Sequence, residues 1–232
     1  MKKGKSQIGI LGGSFDPVHM GHIGLAEETY NKFNLDKILF IPVFQSPHKA
    51  YVPFASVTDR KEMLRLALKE NSGFIISDIE ARIEKISYTI ETLNYYESKF
   101  KNSELFFIIG YDNLLDFDSW KDSRKIMNKF NILVASRPGQ QLISPEDKVL
   151  GFFNGDSPYK LSNIENGMKK FLHSETRSTL VVFDINPRDI SSREVREKLA
   201  YGKPTKNLLP PEVEAYIIRH QIYQTRFQPN IK

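Results

Sequence analysis

The chain has 232 residues and a mass of 26.8 kDa, with 40% hydrophobic and 26% charged residues, which excludes general disorder, collagen-like repeats and coiled coil. Cysteine is absent, which removes disulfides, thiolate metal sites and a cysteine nucleophile, and no apolar run approaches the roughly 18 residues of a membrane span. The net charge of +5 suits an anionic ligand such as a phosphate compound, and equally nucleic acid or a solvated basic surface.

The start is basic, but the apolar stretch Ile8 to Leu11 is far too short for a signal peptide, so a cytoplasmic protein is expected. Gln7 to Leu11 reads as a short strand ending in Gly12-Gly13, and His22 to Phe33 has helical spacing at Ile23, Ala26, Tyr30 and Phe33. Lys37 to Val43 is a second apolar strand. Thr58 to Glu70 reads as a helix with Thr58 as N-cap and Met63, Leu64, Ala67 and Leu68 inward. A short strand over Phe74 to Ser77 and a helix over Thr89 to Phe100 follow. Glu104 to Ile109 is a strongly apolar strand that stops at Gly110, Ser119 to Phe130 is helical, and Asn131 to Ser136 is the next strand.

After Arg137-Pro138-Gly139 periodicity is lost until about Ser178, so 140–178 reads as an insertion or long loop: a lid, an oligomer contact or a neutral addition. Order returns with the strand Thr179 to Ile185. A helix then covers Ser192 to Tyr201 with Gly202 at C′, and a last helix covers Pro211 to His220 with proline at its start. Near-continuous apolar strands alternating with helices predict one α/β domain over 1–232, a doubly wound, mostly parallel sheet with helices on both faces. Such sheets bind ligands beyond the carboxyl ends of their strands. There this sequence places Gly12-Gly13-Ser14, Gln45 to Lys49, Gly110-Tyr111-Asp112, Arg137-Pro138-Gly139 and Ser191-Ser192.

The first of these loops reads Gly-Gly-Ser-Phe-Asp-Pro-Val-His-Met-Gly-His over Gly12 to His22. Gly12 and Gly13 allow close approach of backbone to a ligand, and His19 and His22 sit at a helix start, where free N–H groups favour an anion. It is neither a Walker A loop nor a dinucleotide fingerprint. Zinc on the histidine pair lacks an obvious third ligand, and a structural turn with satisfied histidines is the plain alternative. The whole string closely resembles the signature of the nucleotidylyltransferase superfamily, and in its Gly-Gly-Ser-Phe-Asp-Pro form most resembles the bacterial nicotinate mononucleotide adenylyltransferases. That resemblance implies a Rossmann-like fold.

Later segments add to the likeness. Ser46-Pro47-His48-Lys49 is similar to the family's Pro-His-Lys loop near the mononucleotide, although a lone loop lysine is ordinarily a solvated cation. Asp78 to Leu93, with Asp-x-Glu, Arg82 and Ser87-Tyr88-Thr89, resembles the stretch before the substrate-lining helix; its plain reading is an N-cap with a packed aromatic. Phe106 to Trp120 resembles the family's strand, Gly-x-Asp and Trp, with Tyr111 where Ala is common. Trp120, the only tryptophan, reads by itself as core. Arg137-Pro138-Gly139 is similar to the family's Arg-Pro-Gly turn. Ile190 to Arg196 is similar to its Ile-Ser-Ser-Thr-x-Ile-Arg motif, with Arg193 where Thr is usual. Leu209 to Tyr216 is similar to the terminal structural helix, and the likeness spans roughly residues 7–225.

The resemblance implies adenylyl transfer from ATP to nicotinate mononucleotide in NAD biosynthesis, with Mg²⁺ carried by ATP. It implies His19, His22 and Arg196 as catalytic residues. For ATP it implies Gly12, Gly13, Ser14, Phe15, His19, His22, Gly110, Asp112, Ser191, Ser192 and Arg196. For nicotinate mononucleotide it implies Ser14, Lys49, Tyr88, Thr89, Trp120 and Arg137. Nucleic acid and membrane are not expected partners, and a homo-oligomer stays open. The alternative is a sister enzyme acting on nicotinamide mononucleotide or phosphopantetheine; the Ser-Tyr-Thr run and Trp120 suit an aromatic acid instead.

Overall fold

The computed structural model describes residues 4–44, 53–77, 79, 88–136, 143–153, 156–165, 167–186 and 188–224. The strands are β1 (Ser6–Gly13), β2 (Lys37–Pro42), β3 (Phe74–Ile76), β4 (Ser103–Gly110), β5 (Asn131–Ser136), β6 (Tyr159–Glu165), β7 (Met168–His173) and β8 (Thr179–Asp184). The first helices are α1 (Met20–Lys32), α2 (Val57–Leu68), α3 (Thr89–Lys99) and α4 (Tyr111–Leu115). They are followed by α5 (Ser123–Lys129), α6 (Pro145–Gly151), α7 (Ser192–Ala200) and α8 (Pro211–Arg219). Among the described residues no helix is long and apolar enough to cross a membrane.

The sheet runs β3-β2-β1-β4-β5-β8-β7-β6. Strands β1, β4, β5 and β8 pair in parallel, with Ile10 opposite Phe107, Ile108 opposite Leu133 and Val134 opposite Val182. Their apolar runs are buried, Ile8, Ile108, Ile132 and Leu133 completely, as the central strands of a covered parallel sheet require. The order turns back on itself between β1 and β4, the switch point of a doubly wound Rossmann-like sheet. The last two strands add an antiparallel hairpin beside β8.

Several elements differ from expectation. Helix α2 is capped by Ser56, whose Oγ accepts the Asp59 N–H at 3.1 Å, so Thr58 lies inside the helix. Replacing Ser56 by Ala is expected to cost about 1 kcal/mol in urea unfolding, the usual worth of a cap. The helix expected over Ser119 to Phe130 is a 3₁₀ turn (Phe117–Ser119) and then α5, interrupted at Asp122, whose φ is +54°. Gly110 is followed by the short helix α4 instead of a loop. Within 140–178, read as an insertion or long loop, the described residues form α6 and the β6–β7 hairpin. Gly202 takes φ +62° after α7, the left-handed conformation of a C′ glycine.

The chain forms two compact units. One comprises Met1–Gly12, Glu28–Leu39 and Tyr88–Pro187. The other comprises Gly13–Glu27, Phe40–Ser87 and Arg188–Lys232. In the second unit α8 is fastened to α2 by Tyr216 Oη donating to Asp59 Oδ1 (2.9 Å) and by Lys69 against Glu212 (2.8 Å).

Candidate active site

In the second unit the loop from Gly13 to the start of α1 is shaped by two buried charges. Arg60, on α2, donates from Nη1 to the Ser14 and Val43 carbonyls, both at 2.7 Å, and from Nη2 to the Phe44 carbonyl at 3.4 Å. The Val43 N–H returns a bond to the Gly13 carbonyl at 3.0 Å. Asp16 is fully buried. Its carboxylate accepts the Phe54 N–H (2.7 Å), the Ala55 N–H (3.0 Å) and the Tyr223 hydroxyl (2.7 Å). Burial, and next the Asp16 charge, push the Tyr223 phenol well above its ordinary value, so it stays a donor. A buried carboxylate needs such partners, because desolvation leaves nothing else to satisfy its oxygens.

Arg196 completes this network. It is buried, donates from Nη1 to the Asp16 carbonyl, stands 3.9 Å from the Asp16 carboxylate and lies over the Phe54 ring at 4.6 Å. Ser191 is the N-cap of α7, its Oγ accepting the Glu194 N–H at 3.1 Å. The Ser192 hydroxyl donates to the Pro17 carbonyl at 3.0 Å. Both serine side chains thus hold the start of α7 in place, the Ser191 cap taking up the Glu194 N–H, and the positive end of the helix favours an anion there. Arg193, in the usual Thr position, is exposed and pairs with Glu197 at 2.9 Å.

His19 and His22 are brought together, their rings stacked 3.7 Å apart at 27°. The His22 Nδ1 accepts the His19 backbone N–H at 3.3 Å. An accepting Nδ1 places the ring hydrogen on Nε2, so His22 presents an Nε2–H donor. Phe15, at φ +46°, meets the His22 ring edge-on at 5.0 Å. Gly21 lets His19 lie against the backbone: a Cβ there would stand 3.0 Å from His19 Nδ1. The arrangement combines two imidazoles, a guanidinium and two helix starts, a set of groups suited to phosphate oxygens.

In the first unit, Gly110 is the N-cap of α4 and Asp112 is exposed in its first turn. Tyr88, within the run read as an N-cap with a packed aromatic, is the N-cap of α3; its side chain makes no cap bond and its ring lies 3.9 Å from the Lys121 Nζ. Thr89 opens the helix. Trp120 is half-buried and rests on Phe117 (4.9 Å) and Phe107 (6.2 Å). Gly12, exposed, ends this unit's share of β1. Lys49 and Arg137, with the rest of Ser46 to Lys49, most of Asp78 to Ser87 and Arg137 to Gly139, lie outside the described residues.

Asp16, Arg60 and Tyr223 were not among the expected site residues. Arg60 had a signal: it falls in the same helical stripe as Met63, Leu64 and Ala67, where a charged residue needs a buried partner. Among the described residues no three His, Asp or Glu side chains gather into a metal site. Asp16 is already engaged by its backbone and tyrosine donors, and the remaining donors are cationic or neutral N–H groups. Such a set fits a metal that is held by phosphate oxygens and water.

The model of the cytidylyltransferase-like family matches residues 10–198. A "Probable nicotinate-nucleotide adenylyltransferase" of Geotalea daltonii is 39% identical over 218 residues, 94% of this chain and 98% of that one. One of Dictyoglomus turgidum is 35% identical over 226 residues, 97% of this chain and all of its own. In fold, the chain is similar to the Plasmodium falciparum nicotinic acid mononucleotide adenylyltransferase solved with NaAD. That likeness has a TM-score of 0.71 and 19% identity, and covers 94% of this chain and 97% of the other. The phosphate-suited donors after β1, the doubly wound sheet and these near-full-length matches agree, and the chain belongs to the cytidylyltransferase-like family, in its group of nicotinate-nucleotide adenylyltransferases.

Proposed function

We propose that the chain transfers AMP from ATP to nicotinate mononucleotide, giving nicotinate adenine dinucleotide and pyrophosphate, as a cytoplasmic step of NAD biosynthesis. The observation that carries this reading is the stacked His19–His22 pair, with its Nε2–H donor, in one unit with Arg196 and the start of α7. A phosphate oxygen of the mononucleotide attacks the α-phosphorus in line. The new P–O bond forms as the bond to the bridging oxygen breaks, and pyrophosphate leaves with that electron pair. The nucleophile is already an anion, so no general base is required, and catalysis is positioning plus neutralisation of charge on the phosphates.

His19, His22 and Arg196 act on the ATP phosphates, and the N–H groups at Ser191 and Ser192 add the pull of a helix start. Gly12, Gly13, Ser14 and Phe15 line the nucleotide, and Gly110 and Asp112 take the ribose side. Tyr88, Thr89 and Trp120 receive the nicotinate ring, with the positive N-terminal end of α3 suited to its carboxylate. Ser14, Lys49 and Arg137 serve the mononucleotide. Mg²⁺ arrives on ATP as part of the substrate and offsets negative charge on the polyphosphate.

Pyrophosphate release with ATP and Mg²⁺ tests the reading. Nicotinate mononucleotide is expected to exceed nicotinamide mononucleotide by at least about tenfold in kcat/KM, the worth of one charge-assisted hydrogen bond. Equal use of both removes the acid preference, and release with neither moves the assignment to phosphopantetheine.

A further inference from the structure

Helix α6 lies in the stretch whose sequence suggests a lid, an oligomer contact or a neutral insertion, and its contacts point elsewhere. Tyr111, on α4, is 7% exposed and donates its hydroxyl to the Ile143 carbonyl at 2.5 Å, just before the Ser144 cap of α6. Burial, followed by the Glu146 and Asp147 charges, raises the Tyr111 pKa, which keeps the hydroxyl a donor. Lys148, in the middle of α6, reaches Asp118 in the 3₁₀ turn at 2.7 Å. Its side chain is only 12% exposed, unlike an ordinary solvated surface lysine. Just past α6, Phe152 stands 6.1 Å from Phe117, and Phe117 is the ring against which Trp120 packs. Phe117 itself is fully buried.

These contacts share a direction. The tether at Tyr111 fixes where α6 begins, the Lys148–Asp118 pair fixes its middle on the turn, and that turn carries the indole. Packed interiors transmit small displacements because they contain few voids. We propose that α6 is a brace: Tyr111 and Lys148 are positioning residues that hold the Phe117–Ser119 turn, fix the Trp120 indole and thereby set affinity for the aromatic ring of the mononucleotide. The proposal rests on the reading of Trp120 as the ring platform. It gives the larger residue at 111 a use that a small one could not supply, since alanine has no hydroxyl to reach Ile143.

The full-length enzyme offers its own probe, because Trp120 is the only tryptophan. In Tyr111→Phe, Trp emission of the free enzyme is expected to shift to the red. KM for nicotinate mononucleotide should rise about fivefold, the effect of one net hydrogen bond, with kcat and KM for ATP within about twofold. Lys148→Ala should act in the same direction, and Lys148→Arg should restore both readouts by keeping the ion pair. Unchanged emission and unchanged mononucleotide KM in both Tyr111→Phe and Lys148→Ala overturn the brace, as does an equal fall in kcat for all substrates, which a merely structural contact would give. Trp120→Leu, which removes the aromatic face and keeps apolar bulk, separates the two layers. An unchanged mononucleotide KM in that variant overturns the platform reading and the brace with it, whereas a raised KM there with both Tyr111→Phe and Lys148→Ala unaltered overturns the brace alone.

Discussion

Replacing His22 by Ala is expected to lower kcat by on the order of 10²–10³, the loss that follows removal of one preorganised donor from a developing oxyanion. The geometry says why the loss falls on turnover. The His22 Nδ1 is occupied by the His19 backbone N–H, so the ring cannot turn its other face to the site without giving up that bond. Stacking on His19 and the edge contact with Phe15 hold the ring as well. Such a donor needs no reorganisation as charge builds on the phosphates. On the proposed reading KM for ATP should move far less, because Arg196 and the start of α7 are left to hold the ground state. Pyrophosphate release at saturating ATP measures the effect, and a melting curve checks the fold. His22→Gln, whose side-chain amide reaches nearest to the Nε2–H position, should recover part of the rate. A loss below about threefold in folded His22→Ala sinks the role.

Asp16→Ala is expected to cost about 3–5 kcal/mol of stability, the range for removing one partner of a buried ion pair. Four groups lose their acceptor or counter-charge at once: the Phe54 and Ala55 N–H groups, the Tyr223 hydroxyl and the Arg196 guanidinium. Water cannot replace the carboxylate where the residue has no exposed surface. Asp16→Asn should fare little better, because its amide NH₂ would face one of the same N–H donors. Urea unfolding reads the change directly. A loss under about 1 kcal/mol, the worth of a single ordinary hydrogen bond, would show that the network relaxes around the gap.

What the sequence discloses depends on how each segment is buried. Strands β1, β2, β4 and β5 are legible as uninterrupted apolar runs because both of their faces are covered. Strand β6 is not, since only Tyr159 of its residues is buried and an edge strand with exposed positions shows no apolar pattern. Helix α4 is too short for periodicity to register, and the break at Asp122 depends on a backbone conformation that a lone aspartate does not announce. His19 and His22 are legible as a pair because they stand three positions apart at a helix start. Asp16 stands in the same string, but its partners at 54, 55 and 223 are distant in sequence, so its weight emerges only when the chain is folded.

Arg60 grips main-chain oxygens, those of Ser14, Val43 and Phe44. A carbonyl is the same group whatever side chain its residue carries. Positions 14, 43 and 44 can therefore exchange side chains and still be held at the same place, while position 60 tolerates little: lysine would offer one compact ammonium in place of a planar fork. Mutational freedom is unevenly shared, with one unyielding residue inside and several pliant ones around the nucleotide loop. A lineage carrying this scaffold can adjust what the loop presents to a ligand without first having to reinvent the loop.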